Sequence, residues 1–382
     1  MVHTHLSEEE SLLKSTVGEF ADQVLAPRAA DYDKSGEFPW SNIRELADLG
    51  MFGLTIKEEY GGSGGTSRQL SIVAEEVARG CAATSTIYIA HLSLCTRFIQ
   101  LFGTIEQKRR FIPHLAKAET IGAFALTEPD SGSDAASMST SLTQANGKYR
   151  LDGTKHFITN AEEATVFVVL ATHDRSLRTK GIDALIIQRD TPGLTVNPQH
   201  GKMGIRASST AEVVFDGCPV TEENRLGPEG KGFQECMEVL NGSRIAIASQ
   251  CVGIAQAAYD AAIAYSKQRE VFGKRLSEFQ NTQWDLANLA TNIMAARLLV
   301  YHAATLMDAG QPYAETASMA KLLASRVAVE TANRALQIHG GIGYFAPTIV
   351  ERLYRDAKVT EIYEGSSEVQ RMIISRGIFG DV

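Results

Sequence analysis

A chain of 382 residues, 44% hydrophobic and 21% charged, is too long for one ordinary core and too apolar for disorder, so a soluble globular protein of two or three domains is expected. A formal net charge of -8 argues against a broad basic face for nucleic acid or anionic membrane. The five cysteines are scattered, odd in number and without CxxC pairs, which indicates neither a disulfide framework nor a zinc site and implies reduced core thiols.

The start, "MVHTHLSEEE", turns acidic where a secretory or transit segment would be basic, and a cytoplasmic protein is expected. No apolar run approaches the roughly 18 to 20 residues of a membrane span. "SEEESLLKSTVGEFADQVLAPRA" places Leu12, Val17, Phe20 and Val24 near one helical face and predicts a stop at Pro27, with a loop from Asp31 to Pro39. The glycines from Gly61 to Gly65 read as a surface turn, since no Lys-Ser/Thr follows to make a phosphate loop.

Around Gly122 the pattern changes. Asn146-Gly147 is a favoured hairpin pair. The runs "TVFVVLA", "IDALIIQ" and "TAEVVFDG" are short, β-branched and separated by turn residues, which predicts a small barrel or sandwich. After Gly232 the period returns to helix, with Phe233, Cys236, Met237 and Leu240 on one stripe and Leu286, Leu289, Ile293, Ala296 and Val300 on another. Long stripes joined by short loops suggest a bundle. The expected class is thus α+β multidomain: an α-helical N-terminal domain over 1–121, a middle β-barrel-like domain over 122–230 and a C-terminal α-helical, four-helix bundle domain over 231–382.

"GGIGYFA" imitates a dinucleotide fingerprint, but helical spacing precedes it and Pro347 follows, so its glycines read as a helix stop and a place of close backbone approach. His339 beside them has no second ligand at metal spacing and reads as a helix-end packing residue. "FALTEPDSGSDAASMST" gathers Thr127, Ser131, Gly132 and Ser133 around a turn at Pro129 and Asp130. Such a segment suits either an anionic or heteroaromatic ligand or a polar inter-domain turn. In "HFITNA", Phe157 could cover a flat ring, with Thr159 on the same side of a strand. In "IYEGSSEVQ", Glu364 stands between Tyr363 and Gly365, and is either an exposed loop carboxylate or a base whose pKa is raised by apolar neighbours.

"FALTEPDSGSD", "GTKHFITNA", "RIAIASQCVGIAQAAYDAAIAYSKQREVFGK", "IHGGIGY" and "RDAKVTEIYEGSSEVQRMII" together resemble the acyl-CoA dehydrogenase family, in the family's order and over nearly the whole chain. The resemblance implies the same three-domain architecture, FAD as cofactor, and an acyl-CoA substrate oxidised to the 2-enoyl-CoA. It further implies an electron-transferring flavoprotein as partner and a homotetramer built as a dimer of dimers. No metal, nucleic acid or membrane partner is implied. Glu364 aligns with the catalytic base that removes the α proton. Flavin contacts are implied at Phe124, Ala125, Leu126, Thr127, Gly132, Ser133, Phe157, Ile158 and Thr159, and, from a neighbouring subunit, at Arg269, Phe272, Gln337 and Gly341. Ser366 and Glu368 would complete the adenosine side. Substrate contacts are implied at Ser133, Asn241, Arg244, Tyr363 and Gly365, although Arg244 could equally be a structural donor.

Two departures or choices stand out within the resemblance. Phe157 occupies a position where many members carry Trp, which implies changed flavin packing and oxidant access without loss of binding. Some relatives place the base directly before the arginine of "LNGSR"; that position is Ser243 here and cannot be a carboxylate base. The C-terminal half looks most similar to short-chain and branched-chain members, so a small acyl group is expected, with pocket depth set by residues around Ile87 to Phe98. An oxidase using O₂ and a flavin-bearing binding protein are the alternatives, the first disfavoured by chain length and the second by the acidic pI and the retention of Glu364.

Overall fold

The computed structural model describes residues 5–145 and 148–380. The hairpin expected at Asn146-Gly147 lies outside the described residues. The N-terminal part is helical: α1 (Glu8–Phe20), α2 (Ala26–Ser35), α3 (Trp40–Asp48), α4 (Ser67–Gly80), α5 (Ala82–Ile89), α6 (Arg97–Phe102) and α7 (Ile105–Ala116). Ser7, Thr66 and Thr104 cap α1, α4 and α7 in reciprocal capping boxes, so sequence chemistry fixes where each begins.

Two expectations for this part fail. The first helix does not stop at Pro27. A π-helical turn, Ala21–Leu25, follows α1, and Pro27 falls in the first turn of α2, where its missing N–H costs no hydrogen bond, so helix runs to Ser35. Leu12 is not on the buried face either. It is 68% exposed, and Leu13, four residues before the fully buried Val17, packs on the core in its place.

The middle part is one eight-stranded sheet of β1 (Ile121–Ala125), β2 (Ser141–Ala145), β3 (Lys148–Thr159), β4 (Ala164–Thr172), β5 (Ile182–Gln188), β6 (Leu194–Pro198), β7 (Thr210–Val220) and β8 (Arg225–Leu226). Its order is β6-β7-β3-β2-β4-β5-β8, with β1 pairing parallel to β4. β4 and β5 are buried along nearly their whole length, which is why they read as continuous apolar runs. Val166, Val168, Leu170 and Ile186 face the helices, while Phe167, Val169, Leu185 and Ile187 join a second core with Leu151, Ile158 and Phe215.

The C-terminal part comprises α8 (Gly232–Gln268), α9 (Gln280–Asp308), α10 (Ala314–His339), α11 (Ile349–Lys358) and α12 (Ser367–Phe379). The predicted stripe Leu289, Ile293, Ala296 and Val300 is buried. Alanine dominates the facing surfaces of α8 and α10, which permits close helix approach. The helical core is shared between the N-terminal and C-terminal helices and one face of the sheet. His91 helps to seal that junction: its Nε2 bonds the Leu115 carbonyl at 2.9 Å and its Nδ1 accepts from the Gly122 amide at 3.1 Å. Burial holds this ring neutral, with its pKa down at about 4. All five cysteines are buried and free. No helix among the described residues is long and apolar enough to cross a membrane.

Candidate active site

Glu364 lies on the short connection before α12, where the backbone is left-handed: φ is 52° at Glu364 and 94° at Gly365. A non-glycine residue holds that conformation only when its surroundings fix it. Three buried side chains from two other helices and from α12 do so. Lys321 Nζ, from α10, donates to the Gly365 carbonyl at 2.8 Å, and Gln370 Nε2 donates to the same oxygen at 2.8 Å and to the Glu364 carbonyl at 3.3 Å. Arg244 Nε, from α8, donates to the Glu364 carbonyl at 3.4 Å, and its Nη1 to Asn241 Oδ1 at 2.5 Å. A Cβ on Gly365 would meet Gln370 Nε2 at 2.6 Å, so both conformation and space require glycine.

The hydrogen bonds of these three side chains go to backbone carbonyls and to Asn241, and none of them goes to the carboxylate. Part of Glu364 is exposed, yet its Oε2 is buried and without a hydrogen-bond partner. Burial raises the Glu364 carboxyl to about 7, against the pull of the Ser243 hydroxyl, Lys321 and Arg244. Burial likewise lowers Lys321 to about 8 and brings Arg244 down. The result is a carboxyl near neutrality with two cations behind it, an arrangement suited to taking a proton and giving it up again. Tyr363 turns its hydroxyl away, to Gln250 Oε1 at 2.5 Å, and Gln250 Nε2 donates to Thr86 Oγ1 at 2.7 Å and to the Ala82 carbonyl at 3.0 Å. On the other side Ser243, fully buried, meets Ser93 Oγ at 2.8 Å. Ser93 sits in a π-helical turn, Ala90–Thr96, between α5 and α6.

The second group of expected residues lies along the loop from β1. Ala125 and Ile158 point into the sheet core, leaving only their backbone for a ligand, whereas Phe124, Leu126 and Thr127 are half-buried and Gly132 and Ser133 exposed. The amides of Thr127, Gly132 and Ser133 find no acceptor among the described residues. Glu128 organises this loop. Its carboxylate accepts from the Ser139 amide and hydroxyl, from the Thr140 amide at 2.9 Å and from Lys155 Nζ at 2.8 Å, while Lys155 also donates to the Leu126 carbonyl at 3.0 Å. Burial pushes the Glu128 carboxyl up, but Lys155 and the donors outweigh it and hold it at about 2. A register shift between Lys155 and Ile158 turns both inward and throws Phe157 out, at φ 58° and 64% exposed.

The third group follows α8 and closes α10 in the chain. Arg269 and Gly341 line an open concavity with Tyr265, His339 and Gly340, and Phe272 projects with φ 51° and 97% of its surface exposed. Gln337 is exposed nearby in sequence at the end of α10. His339 packs as expected: it stacks on Tyr265 with ring centres 4.3 Å apart, and its Nδ1 meets the Ala335 carbonyl at 2.8 Å. No cluster of metal-ligating side chains occurs among the described residues. Ser366 accepts from the Val369 amide at 3.5 Å as the cap of α12, and Glu368 pairs with Arg371 at the surface.

Sequence reasoning did not find Lys321, Gln370, Gln250, Ser93 or the Glu128–Lys155 pair. A lysine in the alanine-rich "ASMAKLLAS" was the one signal open to it, since a charge on an apolar helical stripe needs a partner.

The chain matches the family descriptions "Acyl-CoA dehydrogenase, N-terminal domain" over residues 7–119, "middle domain" over 123–218 and "C-terminal domain" over 230–379. It is 44% identical over 375 residues to the short-chain specific acyl-CoA dehydrogenase of Clostridium acetobutylicum, covering 98% of this chain and 99% of that one. The butyryl-CoA dehydrogenase structure from Megasphaera elsdenii superposes with a TM-score of 0.95 at 40% identity, over 98% of this chain and 99% of that one. A structure described as the electron transferring flavoprotein of Acidaminococcus fermentans, towards a mechanism of flavin-based electron bifurcation, contains a chain that matches with a TM-score of 0.97 at 42% identity, over 99% of this chain and 100% of that one. The sequence, the fold and the buried carboxyl thus converge, and the chain belongs to the acyl-CoA dehydrogenase family of FAD-dependent oxidoreductases.

Proposed function

We propose that this enzyme dehydrogenates a short-chain acyl-CoA thioester to its trans-2-enoyl-CoA, with Glu364 as the base that removes the α proton. One observation carries the reading: a carboxyl raised to about 7 by burial, its Oε2 without a partner, on a left-handed residue whose carbonyl and whose neighbour's carbonyl are tied down by three buried side chains. A free carboxylate in water is too weak a base and too mobile. Here its direction is fixed before ligand arrives and its basicity is brought to the working pH. Withdrawal from water also strengthens its interaction with a developing charge. Arg244 and Lys321 keep the surroundings positive, so the proton can leave the base once the product has gone.

FAD, when bound, supplies the acceptor for the β hydride. The unspent amides of Thr127, Gly132 and Ser133 and the hydroxyls of Thr127 and Ser133 fit the acceptor-rich edge of a flavin, and Phe157 and Thr159 would flank its rings. The exposed Arg269 guanidinium fits a pyrophosphate, and Phe272, solvent-exposed in the single chain, fits burial against another subunit. With Gln337 and Gly341 these residues would serve a neighbouring copy, which supports a homotetramer arranged as a dimer of dimers. Ser366 and Glu368 would meet the adenosine side. A small acyl group is supported by the link Tyr363–Gln250–Thr86, which fills space beside the base with bonded polar side chains. Ser133, Asn241, Tyr363 and Gly365 would contact the substrate. Electron transfer to an electron-transferring flavoprotein is supported by the likeness to the Acidaminococcus structure, and a cytoplasmic location by the free thiols.

Anaerobic addition of acyl-CoA thioesters of graded length to the flavin-loaded protein tests the reading. Butyryl-CoA and its branched isomers should bleach the flavin absorbance and long chains should not. Absence of bleaching by every thioester would sink the proposal. Slow re-oxidation by air with fast re-oxidation by an electron-transferring flavoprotein is the expected second half; the reverse would mark an oxidase.

A further inference from the structure

Asp356 and Glu364 lie on one continuously bonded stretch of chain. Asp356 is buried near the end of α11. Beyond it Thr360 Oγ1 donates to the Ala357 carbonyl at 2.7 Å, and the Ile362 and Tyr363 amides donate to the Val359 carbonyl at 2.9 and 3.1 Å. Glu364 follows directly, so a displacement of α11 is carried to the carboxyl. The Asp356 side chain bonds outside its own helix: Oδ1 accepts from the Ile205 amide at 2.5 Å, on the loop 199–209 between β6 and β7. A buried carboxylate needs such a donor, and this one comes from the middle part of the chain. The loop is held tightly where the two meet. Ile205 has φ 43°, a costly conformation for a β-branched residue. Its carbonyl accepts from the Ser208 amide at 3.0 Å, and its side chain is buried in the helical core with Ala207. Gly204 lies so close to α11 that a Cβ there would stand 2.4 Å from the Arg355 carbonyl oxygen, and Arg355 Nη1 donates to the Met203 carbonyl at 3.1 Å.

Both feet of the same loop return to β3. Gln199 Oε1 accepts from the Phe157 amide at 3.3 Å, and the Ser209 carbonyl accepts from the Asn160 amide at 3.1 Å. The Gln199 amide closes the base of the loop on the Thr210 carbonyl at 2.8 Å. The segment Phe157–Thr159, which would flank the flavin, is thus bracketed by the loop that Asp356 grips. We propose that Asp356 is a positioning residue: through the loop 199–209 it holds the segment carrying Glu364 at a fixed spacing from the segment beside the flavin. The reaction has a use for that link. Proton and hydride leave neighbouring carbons toward opposite walls, so an error in the spacing of the walls misplaces one acceptor or the other. Asp356 itself meets neither substrate nor cofactor. The proposal deepens the reading of Glu364 as the base and of Phe157–Thr159 as the flavin wall, and rests on that reading for its meaning in catalysis.

The test measures flavin reduction by stopped flow in the flavin-loaded protein over a range of butyryl-CoA concentrations, which separates the limiting rate from binding. Asp356→Ala removes the acceptor, and its limiting rate should fall about 10- to 100-fold while thioester affinity stays within about threefold of the wild type. Asp356→Asn keeps an oxygen for the Ile205 amide and should reduce its flavin within about threefold of the wild-type rate. Gly204→Ala leaves the carboxylate in place but pushes the loop off α11, and should reproduce the loss seen in Asp356→Ala. The double variant should be no slower than the slower single one, because both break one link. A loss of stability alone would lower flavin content and melting temperature and leave the limiting rate of the loaded protein unchanged. A wild-type rate in Asp356→Ala or Gly204→Ala overturns the proposal, as does a rate in Asp356→Asn as low as in Asp356→Ala, or losses that multiply in the double variant. Should Asp356→Ala fail to fold, Gly204→Ala and Asp356→Asn decide. Acetoacetyl-CoA gives a second readout that needs no turnover: its enolate, stacked on oxidised flavin, absorbs at long wavelength. At saturating ligand that band should be weaker in Asp356→Ala and Gly204→Ala than in the wild type and Asp356→Asn, and equal bands in all four overturn the link. Normal turnover in Glu364→Gln would end the reading of the base and leave the spacing of the walls to be judged by this band.

Discussion

Lys321, buried on α10, spends its ammonium on the main chain: Nζ donates to the Gly365 carbonyl at 2.8 Å, one residue beyond Glu364. The position of the carboxyl is thereby set by a helix more than forty residues away in sequence. Lys321→Met removes this tether and leaves Gln370 as the only donor to that oxygen among the described residues. We expect flavin content to be retained and the rate of flavin reduction by substrate to fall about 100-fold, since small misplacements of a reacting group are costly. Stopped-flow reduction measures it; an unchanged rate would show that Gln370 suffices.

Glu364→Gln keeps the shape and the left-handed backbone but cannot take a proton. Ligand binding should persist, read by the perturbed flavin spectrum, while turnover falls about 10²- to 10⁴-fold. Near-normal turnover would mean that the base lies elsewhere.

The same substitution should stabilise the fold in a pH-dependent way. The Glu364 carboxyl is raised in the folded state, from 4.5 to about 7, so between those values the folded protein binds more protons than the unfolded chain. Stability contributed by the acid form is present below the unfolded value and is lost as pH rises through the folded one. Glu364→Gln should therefore melt higher than the wild type at pH 8, with the gap closing toward pH 4.5. In the wild type, flavin reduction should decline as pH falls through about 7, because the base must be ionised. Thermal melts at graded pH check the first statement and stopped-flow pH profiles the second.

How much of this was legible from residues alone differs by level. The change of period at Gly122 and again near Gly232 marked where strands replace helices and where helices return, because burial periodicity is a local property of each element. Pro27 misled because a π turn upstream resets the hydrogen-bond register and makes room for it, and nothing in "ADQVLAPRA" announces that turn. Glu364 could be singled out from its apolar neighbours, but what surrounds it could not. Arg244 and Lys321 reach the Glu364 and Gly365 carbonyls, and Gln250 the Tyr363 hydroxyl, across separations in sequence that carry no local pattern. Tyr363, expected beside the substrate, has its hydroxyl committed to Gln250. The Phe157 bulge was hidden for a similar reason: alternation counts side chains, and an extra residue appears only when the partner strand is known.

The Glu128–Lys155 pair gives a further prediction, at the loop from β1. Lys155→Met leaves a buried carboxylate without its cation, and should cost about 3 to 5 kcal/mol of stability, with weaker retention of FAD. The Glu128 carboxyl is depressed in the folded state, from 4.5 to about 2, so its contribution is present above 4.5 and is lost as pH falls through about 2. Flavin released on acidification, measured by fluorescence of the filtrate, should begin at a higher pH in the variant. Replacing both residues by apolar ones of similar volume should recover part of the stability.

At the open concavity, Arg269→Ala should lower flavin content in the purified protein and weaken FAD binding about 10- to 100-fold, as expected for the loss of charge-assisted bonds to a phosphate. Gel filtration of the same preparation should show the assembly unchanged. Full flavin retention would mean that Arg269 does not meet the cofactor.

Tyr363 sits between two kinds of neighbour. Its backbone leads directly into the tethered turn, and its phenol belongs to the polar link that runs through Gln250 to Thr86. The two are separately built, one on carbonyl oxygens and one on side-chain amides and hydroxyls. Selection for a different acyl group could therefore recut the wall at positions 86 and 250 while the proton acceptor stays in place, so new substrates are open to this scaffold without reinvention of its chemistry.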